Sequence, residues 1–202
     1  IAGRIALGID DCASLSVPWL HHPDVGVRQR WHTDPSGGHV FITKEYETPK
    51  GTLKMVVRET DDYIHLDIPL RSDHTWSRSE EFPVKGPEDL AKLHYLFYEP
   101  RKEKLEGFHE RAERLRSFAD THGVAVQGSV MHLAGLLGNL VGPERMLITA
   151  VDDPEFFTVL LTMIHEWSMK RTEIPLDAGV DIIYSSGCYE TTDFWSPEMI
   201  RR

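Results

Sequence analysis

The sequence predicts an α/β protein with parallel strands, preceded by an antiparallel β-hairpin. Three observations carry this. Short apolar runs at Val124–Gln127 and Val180–Tyr184 alternate with stretches of helical spacing. Helix starts recur in one form, a capping residue followed by Pro and an acid, at Asp152 or Asp153 before Pro154-Glu155 and at Ser196-Pro197-Glu198. Two β-branched runs, Val40–Glu47 and Thr52–Glu59, flank Thr48-Pro49-Lys50-Gly51, a turn with Pro early and Gly late. Strands separated by helices pair in parallel through right-handed crossovers.

Taken in order, residues up to about 35 are poorly patterned, with Ile5–Ile9 read as a short strand and Asp10-Asp11-Cys12 as a turn. The hairpin follows, and the alternation of Ile64–Leu70 suggests a third strand. Ser72–Glu81 is polar and reads as loop. Pro87-Glu88-Asp89 opens a helix through Leu90, Leu93, Leu96 and Phe97, which Pro100 ends. A longer helix, about Lys102 to His122, keeps Leu105, Phe108, Ala112, Leu115 and Phe118 on one face and stops at Gly123. The Val124–Gln127 strand leads into an apolar turn at Gly128–Asn139, a short helix over Arg145–Ala150, and a helix carrying Phe156, Phe157, Leu160, Leu161, Ile164 and Trp167 inward. Pro175 should kink or end that helix shortly before Asp177-Ala178-Gly179.

Composition narrows the function. A formal net charge of −10 argues against a nucleic-acid partner, which needs a basic face. Two cysteines are too few for a disulfide scaffold, so a reducing, cytoplasmic setting is expected. No apolar run reaches the roughly 20 residues that span a bilayer. Ile1 is not a natural start, and the helix announced at Ser196 meets the end of the chain, so a piece of a longer protein is expected.

The stretch Ala178–Glu198 organises the functional reading. It passes from a helix end through the Val180–Tyr184 strand into a polar, aromatic loop, and ligands in parallel α/β folds sit where such loops leave the strands. Tyr184, Tyr189, Phe194 and Trp195 would wall a pocket for a flat ligand or fill the core. Asp193 or Glu190 would be the catalytic carboxylate, or cap a neighbouring turn. His132, after the Val124–Gln127 strand, would serve as acid, base or ligand, or bond to backbone as a loop histidine. Adjacent His21 and His22 point to opposite sides of an extended chain and do not make a metal pair. Neither a nucleophile elbow, a phosphate-binding glycine loop nor a zinc-finger spacing occurs, and Gly135-Leu136-Leu137-Gly138 reads as tight packing.

Several segments, in one order, resemble the uroporphyrinogen decarboxylase superfamily: Glu45–Leu53, Pro83–Leu90, Asp152-Asp153-Pro154-Glu155, Ala178–Ile183 and Asp193-Phe194-Trp195-Ser196-Pro197. The resemblance implies a TIM (β/α)8-type barrel with its site at the strand C-termini. A closed barrel needs about 250 residues, so only the N-terminal part of one is expected. Residues 83–202 would be its first part and 1–82 a β-rich segment bearing the hairpin insertion.

The superfamily holds two chemistries, cofactor-free decarboxylation of uroporphyrinogen in haem biosynthesis and corrinoid-linked methyl transfer, often with zinc held by His and Cys. The decarboxylase branch has an arginine-rich N-terminal motif, which Arg28-Gln29-Arg30-Trp31 only faintly echoes, and a Tyr-Ser-Asp segment not found here. The Thr-Pro-x-Gly hairpin is closer to the methyltransferase-type relatives. The resemblance therefore implies a methyltransferase acting on a small molecule or a corrinoid protein, with a porphyrin-pathway lyase or a catalytically incomplete fragment as alternatives. Ser185 and Ser186 form the remaining polar turn beside Tyr184, Tyr189 and Trp195 as substrate-binding residues. Cys188, with Glu190 two residues on, supplies one or two ligands if zinc is bound. Homo-oligomerisation is left open.

Overall fold

The computed structural model of the chain describes residues 2–8, 11–61, 73–99, 105–129, 133–185, 187 and 189–201. Two compact units form. One is built from Ile1–Leu20, Glu99–His132 and His165–Ser186, the other from His21–Tyr98, Leu133–Ile164 and Gly187–Arg202.

The first unit contains a three-stranded sheet in the order β1 (Ala13–Leu15), β6 (Val126–Ser129), β7 (Ile182–Tyr184). All pairings are parallel, with Ala13 opposite Val126 and Gln127 opposite Ile182. Helix α3 (Glu106–His122) lays Phe108, Ala112 and Ala119 against Ala13, Leu15 and Val126. Each large apolar side chain so buried contributes about 1.5–3 kcal/mol. Gly123 ends α3 in the left-handed region at φ 65°, as the sequence predicts. The short helix α1 (Ala2–Ala6) replaces the expected strand at Ile5.

Helix α6 (Pro154–Asp177) contains Pro175 and ends at Asp177, beside the Ala178-Gly179 pair where its end is expected. Pro175 lies in the last turn, where little helix remains to disrupt, and its ring is buried against the sheet. A Cβ on Gly128 would come within 2.9 Å of Pro175 Cβ, so β6 needs glycine at that contact. On the same helix Arg171 donates to the carbonyls of Val17 (2.9 Å) and Pro18 (2.8 Å), with its guanidinium 4.8 Å from the Trp167 ring. Trp167 in turn packs on Trp19 at 4.6 Å, which pins the segment leaving β1.

Asp181 ties β6 to the approach of β7. Its carboxylate accepts from Arg116 (2.8 Å) and from the Val126 N–H (2.7 Å), and its own N–H donates to Val126 O (2.9 Å). The Arg116 guanidinium, then the Val126 N–H, hold the Asp181 carboxyl below the usual range. A carboxyl lowered on folding stabilises above its unfolded pKa, and that contribution disappears as pH falls through the folded value. Asp181→Asn is therefore expected to lower stability at pH 7 and to weaken its decline towards pH 3. Urea unfolding at both pH values checks this; an equal decline in variant and wild type would contradict it.

The second unit holds a four-stranded antiparallel sheet, β2 (Gly26–Thr33), β3 (Val40–Thr48), β4 (Gly51–Arg58) and β5 (Ser79–Glu81), in that order. The expected hairpin is its centre, with Gly51 at φ 120° closing the turn. Ile42, Tyr46, Leu53, Met55 and Val57 are buried from its inner face, as are Leu93 and Leu96 of α2 (Leu90–Leu96). The outer face carries alternating charge across all four strands: Arg30–Glu45 at 3.1 Å, Glu45 opposite Lys54, Lys54–Glu81 at 2.7 Å, and Lys85 on Glu81.

A 3-10 turn (Asp73–Arg78) and β5 occupy the stretch expected to be loop. Leu133–Val141 forms α4 where an apolar turn was expected, followed by α5 (Pro143–Asp152). Asp153 caps α6 by accepting the Phe156 N–H at 3.1 Å, and Ser196 does the same for Met199 at 3.3 Å in α7 (Pro197–Arg201). The strand expected at Ile64–Leu70 lies outside the described residues.

The barrel expectation is overturned. The described residues form seven strands, three in a parallel sheet and four in a separate antiparallel one, a mixed α/β fold. An eight-stranded barrel needs parallel pairing throughout, and the whole segment from β2 to β5 pairs antiparallel.

Candidate functional site

In the second unit the motif-bearing loop Tyr189–Ser196 folds back on itself. Phe194 and Trp195 both donate their N–H to the Thr191 carbonyl (3.1 and 3.0 Å), and Trp195 Nε1 donates to Tyr189 O at 2.7 Å. The turn sets out an aromatic ledge. The Tyr189 ring lies 4.4 Å from Trp76 at 34° and meets Phe194 edge-on at 5.9 Å, while Trp195 packs 5.8 Å from Phe157. Such offset and edge contacts add about 0.5–1.5 kcal/mol each beyond buried area.

Trp76 anchors the ledge to α4. Its Nε1 donates to Asn139 Oδ1 at 2.9 Å, and Asn139 Nδ2 donates to Gly135 O at 2.6 Å. A Cβ on Gly138 would come within 2.4 Å of Trp76 Cζ2, so the indole lies directly on the helix backbone. On the same helix the Ala134 N–H donates to Glu190 Oε1 at 2.8 Å, placing a carboxylate on the positive end of α4.

Comparison of the chain with known protein families, with curated proteins and with solved structures found no match. The functional reading therefore stands on the residues themselves.

Tyr189, Glu190 and Trp195 of the expected site come together in this loop, with Asp193 exposed in the same turn. Glu190 has the capping role, which occupies one of its oxygens. Tyr184 ends β7 in the first unit and Ser185 follows it, both exposed. His132, Ser186 and Cys188 lie outside the described residues. Thr191 Oγ1 is buried without a hydrogen-bond partner among the described residues.

The sequence reading missed Trp76 and the groove beside it. Trp76, Phe82, Val84, Val141, Pro143 and Arg145 line a groove of about 490 Å3. Arg145 spans one side, donating to the carbonyls of Val84 (3.3 Å) and Lys85. The available signal was a tryptophan and a phenylalanine in an otherwise polar stretch, Ser72 to Phe82. A second groove, of about 450 Å3, follows the charged outer face of the sheet past Glu45, Lys54, Glu81, Lys85, Asp89 and Lys92. Its lysines are held in ion pairs with Glu81 and Asp89.

His21 and His22 face different partners, as their adjacency predicts. The His21 ring meets Tyr46 at 5.4 Å, and burial, the largest influence, lowers its pKa. His22 packs against Tyr95 and Tyr98. Among the described residues no three His, Cys, Asp or Glu side chains converge to hold a metal ion. The zinc implied by the resemblance has no ligand set there, and no chemical step is derived through it. Nor is any helix among them long and apolar enough to cross a membrane.

Proposed function

We propose that the chain takes part in corrinoid-linked methyl transfer, with the motifs and chemistry of the uroporphyrinogen decarboxylase superfamily but not its closed barrel. The observation that carries this reading is the aromatic ledge. The last motif of the resemblance, Asp193-Phe194-Trp195-Ser196-Pro197, belongs to the loop that stacks Tyr189 on Trp76 beside a groove of mixed apolar and charged lining. A wide aromatic surface suits a flat macrocycle presented by a partner protein. When bound, a corrinoid supplies a transferable methyl group. Tyr189 and Phe194 would orient the ring, and Glu190 would hold their loop to α4. Asp193, exposed in the same turn, would take the proton released by a small-molecule acceptor. The buried, unpartnered Thr191 hydroxyl adds support, because such orphans concentrate where a loop's hydrogen bonding is completed by something else.

Methylcobalamin is the probe. Titrated into the chain, it should quench tryptophan fluorescence saturably, and Tyr189→Ala should weaken binding about tenfold, about 1.4 kcal/mol. Addition of a simple thiol should then demethylate the probe, followed by its absorbance. Failure to bind sinks the reading. Release of CO2 from uroporphyrinogen by the same preparation would replace it with decarboxylation.

A further inference from the structure

The geometry points to β2 as a docking edge for an extended segment of a partner protein that alternates apolar and acidic side chains. Among the described residues strand β2 is the terminal strand of the antiparallel sheet, eight residues long and exposed at nearly every position. Terminal strands direct alternate N–H and C=O groups away from the sheet, and an added strand pairs with them. This inference is independent of the proposed methyl transfer, since no residue of β2 belongs to the aromatic ledge.

The two rows of β2 differ in chemistry. Val27 and Trp31 share the row of Tyr46 and Ile42, residues of the buried inner face, yet are themselves 47% and 49% exposed. Apolar side chains of an added strand would cover them and extend the inner face. Arg28 and Arg30 occupy the other row, opposite Glu45 and Thr43, and bind Glu47 and Glu45 of β3 diagonally at 2.9 and 3.1 Å. Those pairs leave the arginine side chains 71% and 64% exposed. A guanidinium carries five donors, so each can also bind a carboxylate on the added strand.

Charge selects this occupant over a second copy of the chain. Two β2 strands related by a two-fold axis normal to the sheet keep like faces together. The registers of fullest overlap then set Arg28 against Arg30, or Arg30 against itself. Like charges directly opposite are destabilising, whereas an acidic row relieves both arginines.

The test is fluorescence anisotropy of a labelled peptide of alternating glutamate and valine, of about the length of β2, titrated with the whole chain. Saturable binding is expected, weakened about tenfold or more by Arg28→Ser/Arg30→Ser and similarly by Trp31→Ser, with circular dichroism unchanged. A lysine–valine peptide should not bind, and raising the salt should weaken the acidic one. Absence of saturation, or affinity indifferent to salt and to the arginine substitutions, would overturn the proposal. So would a chain that is dimeric and becomes monomeric in Trp31→Asp, which would assign the edge to a second copy.

Discussion

Replacing Trp76 by alanine is expected to cost about 2–3 kcal/mol of stability, below the range for fully buried aromatic truncations because the indole is half-buried. The indole is the hub of the second unit's loop packing. It covers Gly138, donates to Asn139 Oδ1 and supports the Tyr189 ring. Truncation removes the hydrogen bond, the stacking contact and the apolar contact with α4 together, so their loss is felt at one point. Trp76→Phe keeps a ring but loses the donor, and should cost about 1 kcal/mol plus the misfit of a smaller ring. Gly138→Ala attacks the same contact from the other side. Its methyl group would meet the indole at 2.4 Å, with α4 backbone behind it, so about 1–3 kcal/mol is expected. Guanidinium unfolding gives the sizes, and near-UV circular dichroism reports whether the aromatic cluster loosens before global unfolding. If Trp76→Ala and Gly138→Ala each cost under about 0.5 kcal/mol, Trp76 does not anchor the ledge.

Features with local chemical causes were legible in the sequence. The hairpin follows from β-branched runs around Thr48-Pro49-Lys50-Gly51, where the Thr48 hydroxyl accepts the Lys50 N–H (3.1 Å) and donates to Gly51 O (2.7 Å). Helix starts at Asp153 and Ser196 formed for the capping reasons expected. Features that depend on tertiary context were not legible. Strand β2 is exposed on both faces, so no buried alternation marks it. Helix α4 buries seven of its nine residues, including Gly138 and Asn139, and therefore lacks the one-sided period of an amphipathic helix. The barrel fails for a related reason. Helix–strand alternation identifies parallel pairing, and the β1–β6–β7 sheet has it, but alternation does not count strands or exclude a second sheet.

The aromatic clustering of the candidate loop was legible in composition; the contacts that position it were not. Tyr189 and Trp195 form an aromatic surface, which their clustering suggested. Glu190 was weighed as a catalytic acid and as a cap, and only tertiary structure brings the Ala134 N–H to it. Trp76 was invisible as a partner because Trp76 and Tyr189 are distant in the chain. Local composition identifies an aromatic loop; the side chains that position it come from elsewhere.

The Asp89 carboxylate should prove the most acid-sensitive element of the second unit. The side chain is 7% exposed, accepts from Lys92 Nζ at 2.7 Å and from the Lys85 N–H at 2.7 Å, and fixes the turn into α2. Burial raises its pKa, but the Lys92 ammonium and the backbone N–H groups of Lys85 and Gly86 together outweigh burial and hold the carboxyl below its ordinary value. Asp89→Ala removes two strong acceptors and leaves Lys92 without this partner, for an expected loss of about 2–3 kcal/mol at neutral pH. The sign of the pH dependence follows from the lowered pKa. The contribution is complete above the unfolded carboxyl pKa of about 3.9 and is lost as pH falls through the lower folded value. Asp89→Asn preserves shape without the charge, so its stability should be lower at pH 7 and should change less between pH 5 and pH 2 than the wild type's. The difference between the two proteins should therefore shrink as the solution is acidified. Denaturant midpoints collected across that range test the point: a constant gap between wild type and Asp89→Asn would show that the charge on Asp89 contributes nothing, whatever the hydrogen bonds do.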